Sequence, residues 1–326
     1  MRKPRWAAVA PQIELVIILL MNIVSGTNPK VNSFPRTRLE ADLILLLVAA
    51  LWGSAFAAQR AAAAQGEVLF FNGVRYLLGA CLILPILVRQ RLNLSKLPLK
   101  AWLGGGLAGL AMFLAVAFQQ FGLQFTTAAN AGFITGLYVM IVPFLLAIFY
   151  RQPPRVIIWI SSLMATFGMF LLSTEGSLSI SLGDRWVLLG ALMWAIHVLI
   201  IDRITHQLAL PFLAVTQASV CGGLSLLSGI WFEGATLSNL NDIWWAVIWT
   251  AVASIALGFS LQPLGQRVAP PADAAILLSM ESVFAALFGW IILREGLTPI
   301  QLTGCVLMFL AVVLAQISFQ PKAAVN

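Results

Sequence analysis

Two ionisable residues, Arg75 and Glu281, lie well inside long apolar stretches. An ionisable group at bilayer depth costs about 2.5 kcal/mol or more unless it is paired or hydrated. Arg75 is therefore interpreted either as an anchor for an anion or carboxylate, or as a structural tie to backbone carbonyls or to Glu281. Glu281 is interpreted either as a site for proton coupling or cation binding, or as a permanently protonated or helix-bonded carboxyl.

Aromatic residues recur on one face of two apolar stretches. Trp52, Phe56 and Gln59 lie at i, i+4 and i+7, and Trp194 and His197 lie at i and i+3. Such faces suit the wall of a cavity for an amphipathic solute. The alternative for a membrane tryptophan is packing or an interfacial position. Trp52 and Trp194 stand about ten residues into their stretches, which favours the cavity.

Neutral hydrogen-bonding side chains form a third group, namely Gln119, Gln120, Asn130, Tyr138 and Gln262. They either line a pathway or join helices through hydrogen bonds. The substrate-binding residues predicted from all three groups are Trp52, Phe56, Gln59, Arg75, Gln119, Tyr138, Trp194, His197, Gln262 and Glu281.

The sequence offers little for catalysis. It has two histidines, and no Ser/His/Asp set or metal-ligand spacing. Cys81, Cys221 and Cys305 lie in apolar stretches without a CxxC motif, as packing residues do. The net charge of +7 comes without a basic stripe interleaved with aromatics. We therefore expect no enzyme activity, no cofactor, no metal and no nucleic-acid partner.

The composition is that of a membrane protein. Of the 326 residues 60 % are hydrophobic and 10 % charged, whereas a soluble domain has about 25 % charged residues. Ten runs are long enough to cross a bilayer as helices. They are Asp42 to Ala58, Val68 to Val88, Ala101 to Phe121, Ala128 to Tyr150, Val156 to Ser173, Arg185 to Ile201, Pro211 to Phe232, Ile243 to Gln262, Ala272 to Leu293 and Pro299 to Ile317.

Residues 1–40 form an N-terminal extension. Its basic start and short apolar stretch from Ile13 to Val24 resemble a signal peptide. A start codon assigned too early, with Met21 or a later residue as the true beginning, is a second interpretation, and an eleventh helix is a third. Residues 319–326 are expected to be a C-terminal tail.

The positive charges indicate an orientation. In the ten-helix arrangement twelve Lys and Arg residues fall on the side of the N-terminal segment and three on the other. Because positively charged loops stay in the cytoplasm, both termini are predicted to be cytoplasmic. The three on the other side are Arg60, Arg185 and Arg294.

The chain repeats itself at an offset of 142 to 143 residues. Trp52 aligns with Trp194 and Asp42 with Asp184 at an offset of 142, and Gly122 aligns with Gly265 at 143. Each half, residues 41–174 and 184–318, therefore holds five helices. An odd number of helices inverts the second copy, which predicts an all-α polytopic protein with two inverted five-helix repeats. Inverted repeats are typical of secondary transporters with a site near the midplane.

Several motifs resemble one family. They are Leu51-Trp52-Gly53-Ser54-Ala55-Phe56, Phe71-Asn72-Gly73-Val74-Arg75-Tyr76, and the stretch Leu278 to Trp290 followed by Arg294-Glu295 and Gly304. Together they are similar to the EamA transporters of the drug/metabolite transporter superfamily. Ser282 stands where the family often has Pro, and Gln152 replaces an expected acid.

The resemblance implies a secondary transporter of a small organic metabolite or drug-like solute. Such a protein works by alternating access in the cell (inner) membrane, and the family suggests export. A non-transporting receptor or scaffold and a channel are the alternatives. The sequence leaves open whether the chain forms a homodimer.

Overall fold

The computed structural model describes residues 37–64, 66–92, 94, 97–126, 128–151, 153–174, 181–288 and 297–317. Over these residues the chain is helical and contains no β-strand. Most of the N-terminal extension, the C-terminal tail, Gln152, Arg294 and Glu295 lie outside the described residues.

Ten apolar segments follow one another along the chain, as predicted. They are α1 (Arg38–Ala63), α2 (Val68–Arg89), α3 (Leu99–Phe125), α4 in two halves (Ala128–Gly136 and Tyr138–Phe149), α5 (Val156–Thr174), α6 (Leu182–Ile204), α7 (Leu210–Ser228, continued by the π-helical turn Gly229–Glu233), α8 (Trp244–Thr250, the π-helical stretch Ala251–Gly258 and Phe259–Gln266), α9 in two halves (Pro271–Leu278 and Glu281–Phe288) and α10 (Pro299–Ile317). Within the described ranges nine are long and apolar enough to span a membrane, and α5 contains a shorter apolar stretch, Val156–Leu172.

Both repeats begin with the same local signal. Thr37 accepts a hydrogen bond from the backbone of Glu40, whose carboxylate accepts one from the Thr37 backbone. Ser181 and Asp184 form the same reciprocal pair at the start of α6. These capping boxes satisfy backbone donors that a helix start leaves free. As a result α1 begins at Arg38, inside the predicted extension.

The packing between repeats follows a pseudo-two-fold relation. α1 packs against α8 and α9, and its repeat counterpart α6 packs against α3 and α4. The counterpart pairs α2 with α7 and α5 with α10 pack directly on each other. A two-fold axis between the halves produces this pattern, because it exchanges α1 with α6 and α3 with α8. The ten helices therefore form two inverted five-helix repeats.

Two helices break near the middle of the bundle, at equivalent places. α4 has a tighter turn at Leu137, whose amide donates a hydrogen bond to the carbonyl of Ile134, three residues earlier, at 3.2 Å. α9 tightens at Met280, whose amide donates to the Leu277 carbonyl at 3.2 Å. The second halves therefore start at Tyr138 and at Glu281. These two residues are repeat counterparts at the offset of 143.

The α5 and α10 backbones approach closely at two glycines. A Cβ added to Gly304 would lie 2.5 Å from the Gly168 carbonyl oxygen. We therefore expect Gly304→Val to lower the free energy of unfolding by about 1–3 kcal/mol through overpacking. Unfolding in detergent micelles measures this effect. Gly106→Val is the control, because a Cβ at Gly106 meets nothing within 4 Å. Equal losses in the two variants would contradict the close-packing account.

Candidate functional site: a central cavity between the repeats

A cavity lies between the two repeats and is lined by residues of seven helices. Its volume is about 50 Å³. The lining residues are Trp52, Phe56, Gln59, Arg75, Tyr76, Val116, Gln119, Thr135, Tyr138, Trp194, Val198, Ser254, Phe259, Gln262, Leu278 and Glu281. The helices that contribute them are α1, α2, α3, α4, α6, α8 and α9.

Nine of the ten residues predicted to bind substrate lie along this cavity. The exception is His197, which is fully buried next to the cavity and contacts two of its aromatic rings. The structure thus brings the predicted residues together in one place. That they bind a substrate stays a prediction.

Most residues that line the cavity are counterparts in the internal repeat. Six pairs of lining residues are counterparts at the offset of 142 or 143, and one member of each pair comes from each repeat. The pairs are Trp52 with Trp194, Phe56 with Val198, Val116 with Phe259, Gln119 with Gln262, Thr135 with Leu278, and Tyr138 with Glu281. The cavity therefore surrounds the pseudo-two-fold axis. In inverted-repeat transporters the substrate site occupies this position.

Arg75 reaches the cavity from α2 and is only 2 % exposed. Its Nε donates to Asn72 Oδ1 at 2.9 Å, and its guanidinium carbon lies 5.0 Å from the ring centroids of Phe71 and Tyr76. Within the part of the chain that the structure describes, Arg75 has no carboxylate partner, so the suggested tie to Glu281 is not found. The guanidinium is thus held in place by one amide and two rings, without neutralisation of its charge.

Glu281 faces the same cavity from the other repeat. It begins the second half of α9 and is 5 % exposed. Its carboxyl makes no hydrogen bond or salt bridge to any of the residues that the structure places. A buried carboxyl without a protein partner is costly and is retained mainly where it has a function. The sequence placed Glu281 in the middle of a helix, whereas the structure places it at a helix break.

Several other polar atoms at the cavity are buried and have no hydrogen-bond partner among the described residues. They include the Thr135 and Tyr138 hydroxyls and both amide atoms of Gln262. Buried polar atoms are nearly always hydrogen-bonded in folded proteins. These atoms therefore give the cavity hydrogen-bonding capacity for water or a polar solute.

Aromatic rings form one wall of the cavity. The Trp52 indole donates to the Ser254 carbonyl at 3.3 Å, and the Trp194 indole donates to Gln119 Oε1 at 2.8 Å. Phe259 packs against both indoles, with ring centroids 4.9 Å from Trp52 and 5.7 Å from Trp194, and the two indole centroids lie 6.3 Å from each other. Phe259 is not among the residues predicted from the sequence, although it lies one helical turn before Gln262 and on the same face.

A second cluster of charges lies at one end of the bundle. Arg38 at the start of α1 forms ion pairs with Asp42 on the same helix and with Asp273 on α9, the latter at 3.0 Å. Asp42 and Asp273 are both buried. At the opposite end Asp184, the counterpart of Asp42, accepts a hydrogen bond from Thr126. Each end of the bundle thus has its own polar contact between the repeats.

Comparison with known proteins agrees with this architecture. The model of the EamA-like transporter family matches residues 39–174 and 181–316. An uncharacterized transporter of Archaeoglobus fulgidus is 33 % identical over 282 residues, which cover 86 % of this chain and 87 % of that protein. The threonine/homoserine exporter RhtA of Escherichia coli is 28 % identical over 242 residues, which cover 71 % of this chain and 76 % of that protein.

The fold also matches a known crystal structure. That structure superposes with a TM-score of 0.73 at 17 % sequence identity, covering 86 % of this chain and 98 % of the other. A duplicated family match, one in each five-helix repeat, agrees with the pseudo-two-fold packing described above. The chain belongs to the EamA-like transporter family and is a multi-pass membrane transporter.

Proposed function

We propose that the protein exports a small zwitterionic solute of the amino-acid type by alternating access. One observation carries the proposal: Arg75 of the first repeat and Glu281 of the second line the same cavity without pairing with each other. A guanidinium and a carboxyl group that do not pair with each other match a solute that carries both a carboxylate and an ammonium group. Such a solute would restore the pairing that each group lacks.

The chemistry of the other lining residues supports this assignment. A guanidinium binds a carboxylate through two parallel hydrogen bonds, and Asn72 and two rings already hold that of Arg75 in place. Glu281 supplies the acceptor for an ammonium group. The Trp52, Trp194 and Phe259 rings provide an apolar surface for the side chain of the solute.

Relatives support the direction and the class of solute. The Escherichia coli relative is named a threonine/homoserine exporter. The bias of twelve against three basic residues supports an orientation in the inner membrane with both termini in the cytoplasm. In that orientation the Arg38, Asp42 and Asp273 cluster lies at the cytoplasmic end of the cavity.

The cluster of Arg38, Asp42 and Asp273 closes the cavity on the cytoplasmic side, which is one of the two closures that alternating access requires. Arg38 joins α1 of the first repeat to α9 of the second. Since the two repeats rock against each other in such carriers, this ion pair must break when the cavity opens to the cytoplasm. A permanent channel would have no need of such a closure.

We expect Asp273→Asn to favour the state that is open to the cytoplasm. A cysteine placed at Leu278, in a background without the native cysteines, reports this through its reaction with a membrane-impermeant maleimide added from the cytoplasmic side. The labelling rate should rise about tenfold, which corresponds to about 1.4 kcal/mol. Asp242→Asn, at an exposed position, serves as the control. No difference between the two variants would argue against a closure at Asp273.

Counterflow in proteoliposomes tests the function itself. Vesicles loaded with unlabelled L-alanine should accumulate external radiolabelled L-alanine transiently, and the initial rate should saturate. Flux that rises linearly with concentration would indicate a channel. The absence of flux for alanine and for other amino acids would favour a receptor or scaffold.

A further inference from the structure

Phe259 contacts more aromatic rings than its neighbours along the cavity. Its ring centroid lies 4.9 Å from that of Trp52, 5.7 Å from Trp194 and 6.0 Å from Tyr76. The Phe259 and Trp194 rings are nearly parallel, at 10°. Contacts on several sides hold the ring in one place, so that Phe259 behaves as a fixed part of the wall.

The backbone of Phe259 is fixed as well. It is the first residue after the π-helical stretch Ala251–Gly258. Its carbonyl accepts a hydrogen bond from the Gln217 side chain at 3.3 Å, and Gln217 Oε1 lies 3.0 Å from His197 Nε2. The His197 ring stands edge-on to Phe259. Gln217 and His197 are fully buried and do not line the cavity, so they act on it through Phe259.

In the first repeat the position equivalent to Phe259 has a smaller side chain, and its carbonyl also accepts a hydrogen bond from a side-chain amide. The counterpart of Phe259 is Val116, whose carbonyl accepts a hydrogen bond from Asn72 at 3.4 Å. The repeat offset rises from 142 to 143 in the interval that contains the π-helical stretches of the second repeat. One wall position thus carries an isopropyl group and its counterpart in the second repeat a benzyl group.

The free space in the cavity is small. The cavity volume of about 50 Å³ is well below the roughly 300–1,000 Å³ of typical ligand pockets. A solute with a short aliphatic side chain fits with small adjustments of the lining. An aromatic side chain requires the displacement of a lining ring, and Phe259 packs against both indoles of the aromatic wall.

We propose that Phe259 is the specificity-determining residue of the cavity and restricts the transported solute to small side chains. Gln217 and His197 are positioning residues that hold Phe259. The inference rests on the proposed function, because it concerns the same site and the same class of solute. It adds the size limit and names the residue that imposes it.

The experiment compares two probes, radiolabelled L-alanine and L-phenylalanine, in the counterflow assay. The measured quantity is the ratio of kcat/KM for phenylalanine to that for alanine. Phe259→Ala should raise this ratio about tenfold or more, since pocket size changes of this kind are worth about 10–200-fold in discrimination. Phe259→Leu should raise it by a smaller factor, and it keeps the test available if the alanine variant does not fold. Phe309→Ala, at an exposed position of α10, is the control and should leave the ratio unchanged.

A substitution of Gln217 tests whether this residue positions Phe259. Gln217→Met removes both hydrogen bonds of the amide at similar length, and should raise the phenylalanine-to-alanine ratio in the same direction as Phe259→Leu. In the double variant of Gln217→Met with Phe259→Ala the ratio should not exceed that of Phe259→Ala alone. A purely structural role for Gln217 would lower both rates equally and leave the ratio unchanged, which overturns the positioning role.

Failure of the size limit and failure of the proposed function give different results. If the unaltered protein moves alanine and the Phe259 variants keep its selectivity, the size limit is wrong and the proposed function stands. If the unaltered protein moves neither probe, the proposed function fails and the size limit fails with it. A ratio that rises only in Phe259 and Gln217 variants supports the inference.

Discussion

Arg75→Gln should abolish the ability of the protein to distinguish alanine from ethylamine, which is alanine without its carboxylate. Among the residues that the structure describes, Arg75 supplies the one basic side chain on the cavity wall, and Asn72 already holds it. Loss of one partner in a desolvated charge pair costs about 2–5 kcal/mol. We therefore expect the Kd for alanine to rise about 100-fold, while that for ethylamine stays nearly constant. Isothermal titration calorimetry in detergent measures both constants.

Two further variants show whether Arg75 acts on the solute or on the fold. Arg75→Lys keeps the charge and loses the planar fork, so its effect on alanine should be intermediate. Arg89→Gln, at an exposed position of the same helix, should change neither constant. A purely structural Arg75 would instead weaken the binding of alanine and ethylamine alike and lower the unfolding temperature.

Glu281→Gln should remove the preference for alanine over propionate, which is alanine without its ammonium group. Glu281 begins a half-helix in the cavity wall and has no partner among the described residues. Replacement of its carboxylate by an amide removes the charge that attracts an ammonium group at nearly constant volume. We expect a loss of about 30- to 100-fold in alanine affinity, corresponding to about 2–3 kcal/mol, and little change for propionate.

The same variant separates ammonium binding from proton coupling. If Glu281 carried a coupling proton and did not bind the solute, Glu281→Gln would abolish the pH dependence of transport and retain the preference for alanine over propionate. That result would contradict its role as an ammonium site. Glu281→Asp, which keeps the charge and shortens the side chain, should recover part of the preference.

Much of the fold could be predicted because it depends on local hydrophobicity. The ten apolar runs, the two repeats and the grouping of Trp52 with Trp194 follow from residue type and spacing alone. The repeat was informative because counterpart residues in an inverted pair converge on one axis. Nine predicted residues lie along one cavity for this reason.

Other features depend on contacts that a linear pattern does not contain. The breaks before Tyr138 and Glu281 leave the apolar runs uninterrupted, so hydropathy does not reveal them. The contact of Arg38 with Asp273 joins residues 235 positions apart. His197 shares a helical face with Trp194, yet it does not line the cavity, and its Nε2 lies 3.0 Å from Gln217 Oε1. Such outcomes require the packing of one helix against another.

The proposed binding mode requires a zwitterion that bridges the two repeats between Arg75 and Glu281. Solid-state NMR distance measurement between the ¹³C-labelled carboxyl of bound alanine and ¹⁵N-labelled arginine guanidinium groups tests this most directly. The account predicts dephasing that corresponds to about 4 Å, as expected for a charge-assisted hydrogen bond, and its loss in Arg75→Gln. Bound alanine whose carboxyl shows no such proximity, or keeps it in Arg75→Gln, would contradict the account.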